Sequence, residues 1–296
     1  MRIDGVFSGG GVKALAFVGA LQVVTEKGYS FERVAGTSAG AITASLVAAG
    51  YKMDEMENIL REMKFDVFVD PPLFERFLPF AKWLLLYFRM GLYKGDQLEK
   101  WLYKKLGEKG VYTFSDLPLG SLKVICSDLT LGRIMVIPDD LEPVYGIDPM
   151  KFSVAKAVRM SAGLPYFFMP VRLQGKSQVK SLIVDGGLLS NFPIWVLETR
   201  EGNRIRPILG MKLSNPPNQL PRRKIRNSIE MFHALFLTMK QAHDARYISK
   251  STSADVLFIP VKNIDTTDFY LSTDQKDELI QLGRDYAENF ITKWKK

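Results

Sequence analysis

The chain has 296 residues, 47% of them hydrophobic and 24% charged, and a formal net charge of +8. That composition builds a substantial core and excludes a disordered, collagenous or repeat-array protein. The basic balance draws anionic partners without choosing between a membrane surface and a nucleic acid, and a single cysteine, Cys126, excludes an internal disulfide.

From Met1-Arg2 the chain enters Ile3-Asp4-Gly5-Val6-Phe7 without the basic, apolar and small-residue regions of a secretory leader. A cytoplasmic location is expected, with export by a route that reads no cleavable signal left open. Residues 2–8 read as a strand running into glycines, 12–26 as a helix with Gly28 as C-cap, and 31–35 as a short strand. A small-residue helix at 39–49 is stopped by Gly50, and 54–63 is another helix. Residues 66–95 are irregular and rich in Pro and aromatics, an insertion or lid. Within them the apolar run 77–93 is interrupted by Lys82 and Arg89 and is shorter than the roughly 20 residues of a membrane span. It reads either as an interfacial helix at headgroup level or as a core or lid helix.

A helix at 96–106 precedes strands at 121–127 and 133–137, with Cys126 as a packed core thiol in the first of them. A helix at 152–160 and a strand at 181–184 ending at Asp185 follow. The remainder reads as a strand at 206–213, a Pro-rich loop at 215–221, a long helix at 225–250, a strand at 255–259 and a closing helix at 274–294. Alternating strands and helices predict an α/β layered fold. No linker divides the chain, so residues 1–296 are expected to form one domain, with a motif-bearing core at about 5–195 and a C-terminal helical part at about 222–296.

Three segments at predicted strand ends carry chemistry. Ser8-Gly9-Gly10-Gly11-Val12-Lys13 places open backbone N–H groups at a helix start, an anion or oxyanion site; the alternative is a tight strand-to-helix turn. Gly36-Thr37-Ser38-Ala39-Gly40 is a G-x-S-x-G elbow, in which a sharp turn exposes the serine hydroxyl and glycines remove clashing Cβ atoms; the alternative is a serine capping a helix. Val184-Asp185-Gly186-Gly187, followed by Ser190-Asn191-Phe192-Pro193, sets a carboxylate beside open backbone, where it serves as a base or completes an Asp-Gly turn. The two histidines, His233 and His243, both fall on the long basic helix and read as surface residues, although the order Ser38, Asp185, histidine keeps a triad open.

These residues resemble the patatin-like phospholipase family. The glycine loop, the serine elbow and Asp185-Gly186-Gly187 stand in the family's order. Arg159-Met160-Ser161-Ala162-Gly163-Leu164-Pro165-Tyr166-Phe167-Phe168 matches a further family element, and Asn191-Phe192-Pro193 matches its N-x-P. The loop departs from the family at Ala14, where glycine often follows the basic residue. The resemblance implies a three-layer α/β fold with a mostly parallel central sheet flanked by helices. It also implies a Ser38/Asp185 dyad acting without histidine, metal or cofactor on acyl esters, usually of glycerolipids. Gly9, Gly10, Gly11 and Val12 are then the oxyanion hole, with Lys13, Gly36, Gly40, Gly186 and Gly187 in support, and Ser161 caps or packs near the site.

A phospholipid or other acyl-ester lipid is therefore the expected substrate. Peripheral contact with an anionic membrane is expected from the run at 77–93 and from Arg222, Arg223, Lys224 and Arg226. No nucleic-acid motif accompanies these basic residues. A Ser-His-Asp esterase acting on small soluble esters and a catalytically silent lipid-binding protein are the alternatives.

Overall fold

The computed structural model of the chain describes residues 1–63, 86–176, 180–199, 203–216, 255–262 and 270–294, with 225–227, 230–231, 234–235, 238, 241–244, 264, 266 and 268 between them. His233, Trp83, Arg222, Arg223, Lys224 and most of the expected lid and long helix lie outside the described residues.

The first strand, β1 (Arg2–Phe7), is buried from its second residue onward. Such continuous burial marks a strand covered on both faces, as in parallel sheets between layers. Side chains alternate between those faces: Phe7 joins one apolar cluster and Val6 another. The remaining strands are β2 (Ser30–Thr37), β3 (Gly91–Tyr93), β4 (Leu122–Asp128), β5 (Arg133–Ile137), β6 (Tyr166–Phe168), β7 (Val171–Leu173), β8 (Ser181–Asp185), β9 (Ile208–Lys212) and β10 (Val256–Phe258). The main sheet runs β10-β9-β1-β2-β4-β8-β7, with β5 also on β4, and β3 with β6 forms a small second sheet. Pairs β10–β9, β9–β1, β1–β2 and β2–β4 are parallel; β4–β5, β4–β8 and β8–β7 are antiparallel.

Among the described residues the helices include α1 (Leu15–Glu26), α2 (Ala39–Ala48), α3 (Met53–Glu62), α4 (Asp96–Gly107), α5 (Val154–Ser161) and α6 (Thr273–Ile291). α1 is apolar on nearly every side because it lies between the sheet and α6. A Cβ on Gly19 would fall 1.9 Å from the Ile280 carbonyl oxygen, and one on Gly283 would fall 1.8 Å from that of Ala16. The two helices therefore meet backbone to backbone. The opposite face of the sheet is covered by the turn Ile194–Leu197, whose Ile194, Val196 and Leu197 pack with Phe192, Val6, Ala35 and Ile125.

The expected alternation of strands and helices is observed, as an α/β fold whose parallel half carries β1 and β2. Three short elements depart from the sequence reading. Residues 91–93, expected to be irregular, form β3, and β6 and β7 were not anticipated. Each has three residues, too few to show a period; β3 and β6 exist by pairing with each other. The helix expected from residue 12 begins as a 3-10 turn, Gly11–Ala14, before α1 proper.

Candidate active site

The register of the sheet assembles the site. β5 pairs with β4 over Val124–Asp128 and takes one edge of that strand. β2 and β8 therefore share the other edge end to end: Thr37 pairs with Ile125, and Asp185 with Cys126. The chain leaving β2 at Ser38 and the chain arriving along β8 at Asp185 thus meet at one point.

Ser38 sits between β2 and α2 with φ 56° and ψ −126°. That conformation costs a non-glycine residue on the order of 1–3 kcal/mol. The neighbours allow it: a Cβ on Gly40 would lie 2.3 Å from the Phe7 carbonyl oxygen, and one on Gly36 would lie 2.2 Å from that of Gly40. The first turn of α2 holds it, with the N–H groups of Ala41 and Ile42 donating to the Ser38 carbonyl at 2.9 and 3.3 Å. Although Ser38 occupies the N-cap position, its side chain makes no capping bond. Its hydroxyl instead donates to Asp185 Oδ2 at 2.6 Å.

Asp185 is 4% exposed. Its other oxygen, Oδ1, accepts the Gly187 N–H at 2.7 Å, which closes the 3-10 turn Gly186–Leu188. The carboxylate thus closes the turn with one oxygen and meets the Ser38 hydroxyl with the other. Thr37 Oγ1 donates to the Ser190 carbonyl at 3.0 Å and ties the end of β2 to the segment following that turn.

In the glycine loop, Gly9 N–H donates to the Asn191 carbonyl at 3.1 Å, and Val12 N–H to the Thr266 carbonyl at 3.3 Å. Both expected donors are occupied in this arrangement by carbonyls distant in sequence. Among the described residues no acceptor meets the N–H groups of Gly10 and Gly11. Asn191 Nδ2 donates back to the Gly9 carbonyl at 3.5 Å, so Asn191-Phe192-Pro193 braces the loop. Lys13 lies half-buried in the 3-10 turn.

Sequence reasoning placed two further residues only loosely. Ser161, at the end of α5, is fully buried; its Oγ accepts the Ser38 N–H at 2.9 Å and donates to the Ile125 carbonyl at 2.5 Å. Arg159, also on α5, is 2% exposed. It donates to the carbonyls of Gly95, Lys94 and Met169 at 3.0, 2.5 and 3.1 Å and lies 5.0 Å from the Phe168 ring centre. Burial pulls its guanidinium below the ordinary arginine value. It joins α5 to the chain around β3 and β6. The motif Arg159-Met160-Ser161 marked its position in the sequence, but not these partners.

His243 precedes Asp244, which is 3% exposed, pairs with Lys212 and accepts the Phe192 N–H at 3.1 Å. Cys126, opposite Asp185, is a buried thiol pushed well above its ordinary value by burial and by the Asp185 charge. Among the described residues no group of His, Cys, Asp and Glu has the arrangement of a metal site, and no helix is long and apolar enough to cross a membrane. In the apolar run, residues 77–85 lie outside the described residues; at 86–89 the chain is helical, with Tyr87 80% and Phe88 69% exposed rather than packed in the core.

The sequence model of the family described as patatin-like phospholipase matches residues 5–198. The protein YqhO of Bacillus subtilis (strain 168) is 46% identical over 294 residues, 99% of each chain. The cGAMP-activated phospholipase of Vibrio cholerae serotype O1 is 25% identical over 201 residues, 64% of this chain and 54% of its own length. VipD from Legionella pneumophila, a solved structure, shares the fold over 98% of this chain and 66% of its own, with a TM-score of 0.58 at 17% identity.

Proposed function

The chain belongs to the patatin-like phospholipase family, and on that premise we propose that it is a lipid acyl hydrolase working through a Ser38/Asp185 dyad. The observation that carries this reading is the 2.6 Å hydrogen bond from the Ser38 hydroxyl, on its left-handed elbow, to the buried Asp185 carboxylate. The acceptor of the nucleophile's proton is a carboxylate and not an imidazole, which favours the dyad over a Ser-His-Asp arrangement.

The chemistry follows from the atoms. As Ser38 Oγ attacks the ester carbonyl carbon, its proton passes to Asp185 Oδ2. A carboxylate in water is a weak base, and here it is 4% exposed, held between the Ser38 hydroxyl and the Gly187 N–H. The oxygen of the tetrahedral intermediate gathers negative charge, and the open N–H groups of Gly10 and Gly11, with that of Ala39 at the start of α2, are the donors for it. Collapse breaks the bond to the alcohol, which leaves with the proton from Asp185 and remains as a lysolipid if the substrate is a diacyl phospholipid. Asp185, again ionised, takes a proton from water as that water attacks the Ser38 ester. The second collapse releases the fatty acid and returns the proton to Ser38.

Phospholipid and lysophospholipid are the substrates proposed. A panel of phospholipid, lysophospholipid, triacylglycerol and short nitrophenyl esters, with Ser38→Ala as control, tests the reading. Hydrolysis of lipid esters that vanishes in the variant supports it. An intact panel after incubation with folded wild-type protein, or turnover retained in Ser38→Ala, contradicts it.

A further inference from the structure

A serine hydroxyl has one proton to donate and lone pairs with which to accept. A backbone N–H can only donate, so in the 2.9 Å contact Ser38 N–H donates and Ser161 Oγ accepts, which leaves the hydroxyl proton for the Ile125 carbonyl at 2.5 Å. Donating to a carbonyl leaves Ser161 Oγ a better acceptor. Ser161 and Ile125 are both fully buried, so the hydroxyl and the carbonyl it binds face protein and not solvent, while Ser38 itself is partly buried.

Ile125 is a significant anchor. It is the β4 residue facing Thr37, the last of β2, while the next residue, Cys126, faces Asp185. The following residue, Ser127, donates from its hydroxyl to the Gly186 carbonyl at 3.5 Å. The base is therefore registered on β4 directly, through the ladder and Ser127. The nucleophile is registered on the same strand through Ser161, from the residue whose φ is 56°.

We propose that Ser161 is a positioning residue that holds the strained Ser38 backbone to β4 and so sets the distance from Ser38 Oγ to Asp185; the proposal rests on Ser38 being the nucleophile. Two consequences follow. The Ser38 N–H is committed to Ser161 and is not an oxyanion donor. Ser161, whose proton goes to a carbonyl rather than to a base, is not a second nucleophile.

The test uses the full chain, a short nitrophenyl ester and a fluorophosphonate probe that labels the reactive serine. In folded Ser161→Ala, kcat and the rate of Ser38 labelling are expected to fall between about tenfold and about a hundredfold, the scale of a misplaced reacting group, with KM little changed. Ser161→Thr keeps the hydroxyl and is expected to outpace Ser161→Cys, whose sulfur is a poor acceptor. This comparison also serves if the alanine variant fails to fold. Equal labelling rates in wild type and folded Ser161→Ala overturn the proposal, as does Ser161→Cys outpacing Ser161→Thr. Absence of Ser38 labelling in the wild-type chain would overturn the hydrolase reading and the proposal with it.

Discussion

Thr37 and Asp185 occupy consecutive places along one edge of β4, the first paired with Ile125 and the second with Cys126. A parallel neighbour stops and an antiparallel one begins between them. Each ends its strand there, so the chain turns away from the sheet twice within one residue step. The elbow serine leaves from one turn and the aspartate arrives at the other. Their 2.6 Å contact is thus a property of strand register as much as of side chains.

Asp185→Asn keeps the shape of the turn, because the Oδ1 that accepts the Gly187 N–H is retained. It removes the proposed base. Turnover of a soluble ester is expected to fall on the order of 10²-fold or more, while His233→Ala and His243→Ala retain most of it. Steady-state rates on folded variants check this; collapse in either histidine variant would promote the triad reading.

The Cys126 thiol faces the Asp185 carboxylate from a position with no exposed surface. Burial and the neighbouring charge hold it protonated, and a protonated thiol is a poor nucleophile. Iodoacetamide is expected to leave Cys126 unmodified in the native protein at neutral pH and to alkylate it after denaturation. Rapid native modification, read by mass spectrometry, would show that the β4–β8 junction opens.

The Ser38 and Asp185 motifs were legible because turn chemistry is local: glycines mark the elbow and the Asp-Gly turn wherever they occur. What the sequence hid was each long-range partner. Gly9 and Val12 were expected as oxyanion donors, yet their N–H groups are taken by Asn191 and Thr266, and no local pattern reveals which carbonyl a loop will meet. Ser161 and Arg159 were visible as parts of a motif, but their work depends on Ile125 in one case and on Gly95 and Met169 in the other. The major strands and helices were readable from apolar pattern and caps; β3, β6 and β7 were too short to announce themselves.

Tyr51 offers a test by pH. Burial, then the Glu108 charge and hydrogen bond, then the Glu55 charge raise its phenol from 10.0 to about 12. A group whose proton is held more tightly in the folded state stabilises fully below its unfolded value, and that contribution is lost as pH rises toward the folded one. Stability contributed by Tyr51 is therefore expected to disappear between pH about 10 and about 12. The urea midpoint of the wild type should fall faster over that window than that of Tyr51→Phe. Parallel curves would count against the assignment.

Tyr87 and Phe88 are exposed on the short helical stretch before β3, and Tyr166, in the facing strand β6, is 65% exposed. Aromatic rings beside basic groups suit a lipid interface. Vesicle flotation is expected to rise with anionic lipid and fall with salt. The double variant Tyr87→Ala with Phe88→Ala should lose vesicle binding while keeping activity on a soluble ester. Unchanged flotation in that variant would assign the aromatics no role at a membrane.

The backbone contact of α1 and α6 at Gly19 and Gly283 bears on where this protein can be cut. α1 follows directly from the glycine loop, and its outer side is roofed by a helix beginning at Thr273, far beyond the last residue of the family match. β9, which pairs with β1, also lies beyond it. A fragment ending near residue 198 would carry the whole family match and yet leave an apolar helix and an interior strand edge open to water. Such a piece is expected to self-associate rather than fold. Supplying residues 199–296 in trans should restore soluble, labelled protein only if the two pieces rebuild that helix crossing.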